Sequence, residues 1–255
     1  MTNTEQTRNA RCPSAWQRCI RGAHLLTAAL LLLAAPLLSQ TSGENPAHSE
    51  FGQAPPDGSG FVRVVSTLPA AESGTPESGE PHADAPRLQL GPRRFRLSER
   101  GVASPYRPVP AGEYPLEIRE LRSTVTVKAG GYQTVAITRG GIGVFRDEPP
   151  NNPRLAQLVF YNLSDWRPLD LTVIPQDITA IQAVPRGGVS RVAVNPIQVT
   201  FGVRESRPRQ GRTAGSRRVG DVQLQAGASF SIFAFRVGKE LVGTLQRARV
   251  ISGTP

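Results

Sequence analysis

Three histidines are the only imidazole groups in the chain, and their positions decide which acid–base chemistry is feasible. His24 lies in the N-terminal segment, His48 in the polar stretch after it, and His82 in an acidic run rich in proline and glycine. A catalytic base must be held rigidly within hydrogen-bond reach of its nucleophile, and segments of that composition cannot hold one in place. The sequence therefore predicts no Ser-His-Asp or Cys-His site.

The sequence also lacks the residues that usually bind metals and nucleotides. The two cysteines, Cys12 and Cys19, both precede the apolar N-terminal run, and the sequence has no cluster of His or Cys ligands. It has no Walker-type motif and no strand-borne dinucleotide motif. The glycine loop at residues 140–143 lacks a lysine and a following helix, so we interpret it as a turn rather than a phosphate site. We predict no metal and no cofactor.

Carboxylate pairs are the remaining candidates for catalysis. Glu117 with Glu120, or Asp165 with Asp170, could in principle serve a glycosidase. Acidic residues on strands and loops usually face solvent, and we favour that interpretation here. We therefore predict that the chain is not an enzyme. An envelope acetyltransferase or esterase acting in its own right is the alternative hypothesis.

Arginines are concentrated in residues 204–218, where Glu205 is the only acidic residue. Guanidinium groups pair bidentately with carboxylates, so this loop could bind a carboxylated polysaccharide. Charge runs are usually solvated, and a plain surface loop is the favoured interpretation. The residues concerned are Arg204, Arg207, Arg209, Arg212, Arg217 and Arg218.

The N-terminus has the layout of a secretory signal. Four arginines within residues 8–21 precede an uncharged, leucine-rich run at residues 23–38. That run is shorter than the roughly 20 residues that a membrane-spanning helix needs. We predict a signal peptide within residues 1–40, a periplasmic protein, and no integral membrane domain in the mature chain. An uncleaved N-terminal anchor is the alternative, because no clear cleavage site follows Leu38.

The formal net charge of +10 is spread unevenly along the chain. Residues 41–90 are acidic, whereas residues 91–255 are strongly basic through arginine, with Lys128 and Lys239 as the only lysines. A basic body attracts polyanions. Nucleic acid is not an expected partner, because an exported chain would not meet it and no aromatic residues are interleaved with the arginines.

Short runs of alternating apolar and polar residues, separated by turn residues, predict an all-β fold. We predict two small β-sandwich domains in tandem, residues 51–145 and 154–251, after the signal segment. Residues 69–92 have the composition of a disordered acidic insertion, and residues 146–153 that of an interdomain linker. The first domain has strands predicted at residues 60–65, 93–97, 113–121, 124–127 and 133–138. The second has them at residues 156–163, 169–174, 178–184, 190–194, 197–203, 219–225, 230–235 and 241–250.

Four stretches resemble the AlgF family of alginate O-acetylation accessory proteins. Residues 51–65 read FGQAPPDGSGFVRVV, and residues 104–114 read SPYRPVPAGEY. Residues 157–171 read QLVFYNLSDWRPLDL, and residues 194–199 read VNPIQV. The resemblance covers most of residues 51–236, and the YNLS and VNP segments form its most specific pairing. The acidic insertion and the arginine loop depart from the family pattern.

The resemblance implies a periplasmic accessory protein for O-acetylation of alginate or a similar exopolysaccharide. It implies two β-sandwich domains and no acetyltransferase chemistry, with acetyltransferase subunits of the SGNH-hydrolase type as partners. Tyr161 and Asn162 match the family motif, and Tyr161 is the better candidate for a protein–protein contact, because residues 156–163 are apolar on both faces of a strand. That run belongs in the middle of a sheet or carries an exposed contact. A stand-alone module that binds anionic polysaccharide is the alternative function.

Overall fold

The computed structural model describes residues 51–69, 87–97, 99–165, 167–207 and 215–251. These ranges contain sixteen strands and no helix, so the all-β prediction is confirmed. The first eight strands are β1 (Ser59–Ser66), β2 (Arg87–Leu90), β3 (Arg93–Arg96), β4 (Arg107–Pro110), β5 (Gly112–Ile118), β6 (Leu121–Val127), β7 (Tyr132–Thr138) and β8 (Gly141–Asp147). The next eight are β9 (Ala156–Asn162), β10 (Leu169–Ile174), β11 (Ile178–Val184), β12 (Val189–Val194), β13 (Gln198–Glu205), β14 (Arg217–Gln223), β15 (Ser229–Val237) and β16 (Glu240–Arg247).

The first half of the molecule, β1 to β8, is built on a four-stranded sheet in the order β4-β1-β7-β8. β1 runs parallel to β7 and antiparallel to β4. Two hairpins, β2-β3 and β5-β6, supply the other layer. Because side chains alternate along a strand, Val62 and Val64 of β1 face this layer and pack in one buried cluster with Leu90, Leu116 and Val125.

The second half, β9 to β16, is a sandwich of two four-stranded sheets. One has the order β12-β9-β15-β16 and the other the order β11-β10-β13-β14. The core between them contains Leu158, Phe160, Leu171, Phe201 and Ile232, all nearly fully buried. Strand β13 shows the predicted alternation, since Val199, Phe201 and Val203 are buried, although Ile197 lies before the strand and is exposed.

The two halves repeat one topology. In each, the first strand is central, runs parallel to the seventh and antiparallel to the fourth, and the seventh pairs with the eighth in a hairpin. The register repeats too: the Phe61 amide donates to the Gly131 carbonyl at 2.8 Å, and the Gln157 amide donates to the Ala228 carbonyl at 2.9 Å. Positions in β1 and β7 therefore have counterparts in β9 and β15.

Four central strands are buried on both faces: β1, β7, β9 and β15. One face lies in the core of its own half, and the other packs against the equivalent face of the opposite half. This junction is a buried cluster that includes Val65, Ala136, Val159, Tyr161 and Phe233. The junction explains the two-sided apolar pattern of residues 156–163: of the two predicted alternatives, a central strand or an exposed contact, the structure shows the central strand.

Three strands were not predicted. β8 begins in the glycine-rich residues assigned to a turn and ends at Arg146 and Asp147, which were assigned to a linker; the connection between the halves is residues 148–155. β2 lies in residues predicted to form a disordered insertion, yet its Leu88 and Leu90 are 2% and 0% exposed in the core. The third, β4, carries two prolines within four residues. Residues 70–86 of the predicted insertion lie outside the described ranges.

The chain divides by contacts into Met1–Gly43, which lies outside the described ranges, and Glu44–Pro255. The predicted domain boundary near residue 150 falls between β8 and β9, and the division into two domains stays a prediction. The part of the chain that the structure describes contains no helix long and apolar enough to cross a membrane.

Candidate functional site

Tyr161 and Asn162, the two residues matched to the family motif, lie inside the molecule. Both are 0% exposed. The Asn162 amide nitrogen donates to the carbonyls of Arg167 at 3.1 Å and Val184 at 3.0 Å, which fixes the connections that follow β9 and β11. The Tyr161 ring lies in the junction between the halves, stacked on Phe233 at 4.7 Å. As placed, neither side chain can reach a partner, and both serve internal contacts.

The six arginines of the β13–β14 segment do not act as one group. Arg204 is 21% exposed and pairs with Asp177 at 2.6 Å and Asp170 at 3.5 Å, so it stabilises its own sheet. Arg218 forms an ion pair with Asp221. Arg207 and Arg217 are exposed and have no ion pair among the described residues. Arg209 and Arg212 lie outside the described ranges, so their predicted role stays a prediction.

The carboxylates considered for glycosidase chemistry make other contacts or face solvent. Glu117 forms an exposed ion pair with Arg122 at 3.0 Å. Asp170 is buried and accepts a hydrogen bond from the Ala183 amide at 2.8 Å. Asp165 is exposed at the edge of the cleft described below. The three histidines lie outside the described ranges, and the described residues include no group of His, Cys, Asp or Glu that could hold a metal ion.

A buried arginine, Arg63, forms the centre of the junction between the halves. It is 2% exposed, although it lies on β1 among apolar neighbours. Its guanidinium donates to the hydroxyls of Thr134 at 2.8 Å, Ser231 at 2.9 Å and Tyr161 at 3.0 Å. Thr134 and Ser231 occupy equivalent positions on β7 and β15, so each half contributes one hydroxyl, at the same position, to one guanidinium.

Asp147, the last residue of β8, supplies the countercharge. Its carboxylate accepts hydrogen bonds from the hydroxyls of Tyr106 at 2.7 Å and Thr134 at 2.5 Å, and a further one from Tyr161. Burial lowers the pKa of the Arg63 guanidinium, but the oxygens of Tyr106, Tyr161 and Asp147 outweigh burial and hold that pKa above its ordinary value. The guanidinium therefore keeps its charge, and the hydroxyls of Thr134 and Tyr161 link it to the Asp147 carboxylate.

Aromatic rings enclose the charge. The guanidinium carbon of Arg63 lies 4.6 Å from the ring centre of Tyr106, 5.3 Å from that of Phe233 and 5.6 Å from that of Tyr161. Such contacts compensate part of the lost hydration of a cation. The Nη1 atom of Arg63 has no hydrogen-bond partner among the residues that the structure describes. This network is closed to solvent and holds the halves together, and the only sign of it in the sequence is one arginine within an apolar strand.

An open cleft lies at one end of the junction. Its volume is about 230 Å³, and both halves line it. The floor contains Ala136, Phe145 and Leu163. The loops that carry Gly140 and Arg186 approach each other here: the Arg186 guanidinium lies 3.3 Å from the point that a Cβ atom on Gly140 would occupy. Four arginines also line the cleft: Arg100, Arg139, Arg186 and Arg236. We call this the arginine cleft. Sequence reasoning missed it because the four residues are far apart in the chain.

Comparison with known proteins adds little. No family model and no curated protein matches the chain. Among solved structures, the C-terminal domain of AlgF from P. aeruginosa is similar at 18% identity and a TM-score of 0.30, over 37% of this chain and 98% of that one. This neighbour is a weak one, so the family resemblance depends on the sequence motifs.

Proposed function

We propose that this chain is a non-catalytic periplasmic accessory protein for O-acetylation of alginate or a similar exopolysaccharide. In this proposal it acts as an adaptor that holds acetyltransferase subunits of the SGNH-hydrolase type together. The AlgF-like motifs and the predicted secretory signal support the process and the location. The arginine cleft carries the binding part of the proposal, because four arginines line an open cleft that both halves build.

The test is recovery of partners from periplasm. Tagged mature protein should retain acyltransferase subunits, and the retained complex should weaken at high ionic strength, because exposed charge pairs are screened by salt. Deletion of the gene should abolish acetylation of the polymer without abolishing its synthesis. Normal acetylation in the deletion strain would overturn the proposal.

A stand-alone module that binds anionic polysaccharide is the second candidate. Arg207 and Arg217 favour it, since both are exposed beside the β13–β14 loop and have no ion pair among the described residues. Titration with alginate at low and high salt tests this function, because arginine-driven binding should weaken as ions screen the charges. Serine at the six arginine positions of residues 204–218 should abolish binding if this segment is its source.

Absence of catalysis is tested directly. The purified protein should not hydrolyse an acetyl-ester reporter. Turnover that survives replacement of His48 and His82 would show that the chain carries a catalytic site of another kind, and would replace the adaptor with an enzyme.

A further inference from the structure

The arginine cleft is built from equivalent parts of the two halves. One part is a glycine turn before the fourth strand of each half. The Gly101 amide donates to the Ser66 carbonyl at 2.8 Å, and the Gly187 amide donates to the Asn162 carbonyl at 2.9 Å. Both glycines have left-handed φ angles, +73° and +66°. Ser66 and Asn162 are equivalent positions in the repeated register, so the two turns are equivalent as well.

Each glycine turn presents an arginine to the cleft. Arg100 precedes Gly101, and Arg186 precedes Gly187. The second part is the end of the seventh strand of each half. Arg139 and Arg236 are equivalent there, because each lies at the same distance along the chain from the first paired residue of β7 or β15. The cleft therefore contains two pairs of equivalent arginines.

The cleft has an excess of positive charge. Among its described lining residues Asp165 is the only acidic one. Arg100, Arg139 and Arg186 form no ion pair with any described residue, unlike Arg204 and Arg218. Four like charges beside a single acidic residue repel one another, and a bound anion reduces that cost. The arrangement therefore favours an anionic ligand.

The size and lining of the cleft limit the kind of anion. Its volume of about 230 Å³ is below the range of about 300–1,000 Å³ typical of pockets for drug-sized ligands. It therefore suits one or two carboxylate side chains better than a run of sugar rings. Glycines at 140, 141, 143, 187 and 238 leave its rim without bulky side chains, so a partner backbone can approach closely. Phe145 is the only aromatic residue among the described lining residues.

We propose that the arginine cleft binds the carboxylates of an acidic segment in a partner protein. This inference rests on the adaptor function proposed above. Guanidinium and carboxylate groups form forked pairs with two parallel hydrogen bonds, and paired arginines on opposite walls can hold two carboxylates at once. Because the walls come from different halves, the ligand bridges the halves when it binds.

The test uses the full mature chain and a fluorescent hexaglutamate peptide as the probe. Binding is measured by fluorescence anisotropy for the wild type, for a double variant Arg139→Ser/Arg186→Ser, and for a control Arg94→Ser/Arg154→Ser. The control removes the same charge from exposed sites outside the cleft. We expect the cleft variant to weaken peptide binding about tenfold or more, and the control less than about twofold. All of these positions are exposed, so unchanged circular dichroism should confirm folding of both variants.

Equal weakening by the two variants would overturn the proposal, since net charge alone would then explain binding. Stronger cleft-dependent binding of a uronate trisaccharide than of the peptide would also overturn it, in favour of a saccharide site. Recovery of partners from periplasm distinguishes failure of the cleft inference from failure of the adaptor function. If the cleft variant retains partners as well as the wild type, the cleft inference fails and the adaptor function stands. If the wild type recovers no partner, the adaptor function itself fails.

Discussion

Arg63 shows how a charge is tolerated in the interior of this protein. Removing a guanidinium from water costs several kcal/mol, which a single counterion rarely repays in full. Here the hydroxyls of Thr134, Ser231 and Tyr161 accept its hydrogen bonds, and Asp147 supplies the negative charge. The network is complete only when the two halves are together, because Tyr161 and Ser231 belong to the second half.

Substitution of Asp147 by asparagine should destabilise the protein strongly. The substitution leaves the Arg63 charge buried without its counterion, and losing one member of a buried pair costs about 3–5 kcal/mol. The free energy of unfolding from urea titration measures the loss. Asp177→Asn is the matched control, because Asp177 is 65% exposed in its pair with Arg204 and should lose less than about 1 kcal/mol. Equal losses would show that the buried network contributes nothing special.

Alkaline pH should weaken the fold through Tyr106 and Tyr161. Burial raises the pKa of both phenols above the ordinary value. A raised folded-state pKa gives stability that is complete below the unfolded pKa of about 10 and is lost as the pH rises toward the folded value. The urea midpoint should therefore fall between about pH 9 and pH 12, and Tyr161→Phe should make the fall shallower. A midpoint that does not change over this interval would contradict the burial of both phenols.

The sequence could indicate what these residues are surrounded by, but not what they contact. Tyr161 lies in a run that is apolar on both faces, which predicted a central strand. Its partner Arg63 is 98 positions away, and no pattern within either strand specifies that distance. The exposed-contact alternative for Tyr161 failed for that reason: the surface it was expected to offer is covered by the other half of the same chain.

At the scale of elements, alternation predicted most strands because their core-facing positions are regularly spaced. β10 and β11 match the predicted ranges at both ends. β8 was missed because three glycines and the polar residues before two prolines conceal its alternation. β2 was missed because a four-residue strand with two leucines is too short for a periodic signal. In both cases tertiary packing outweighs local composition.

The equivalent glycine turns give a matched pair of substitutions. Gly187→Ala should cost about 1–2 kcal/mol, which is the penalty of a left-handed alanine, because no atom lies within 4 Å of the added Cβ. Gly101→Ala should cost about 1–3 kcal/mol more, because its Cβ would lie 2.2 Å from Cε1 of the buried Phe235 ring. Chemical denaturation of the two variants checks the difference. Equal losses of unfolding free energy would mean that the Phe235 ring can move away from an alanine at position 101 at little cost.

The described part of the molecule consists of two repeated halves joined through equivalent faces, in the manner of an isologous dimer interface within one chain. The junction buries Val65, Val159, Phe233 and Phe235. A half separated from its partner would expose this apolar face and leave its share of the Arg63 network unsatisfied. The halves are therefore expected to depend on each other for stability.

Separate expression of residues 51–151 and 152–251 tests this dependence. Each fragment alone should self-associate or aggregate, because a large apolar face is exposed. Mixed in equal amounts, the fragments should form a one-to-one complex, which analytical ultracentrifugation would detect. Two fragments that remain monomeric, folded and indifferent to each other would show that the junction contributes little to stability.

The connection at residues 148–155 is short, and its length affects whether the halves pair within one molecule or exchange between molecules. Because both halves present equivalent faces, β1 of one molecule could in principle meet β9 of another. A short tether keeps the two faces of one chain at an effective concentration in the millimolar range, far above typical protein concentrations. The tether thus favours pairing of the two halves within one chain over exchange between chains, and a cleavage within 148–155 would make pairing of the halves depend on protein concentration.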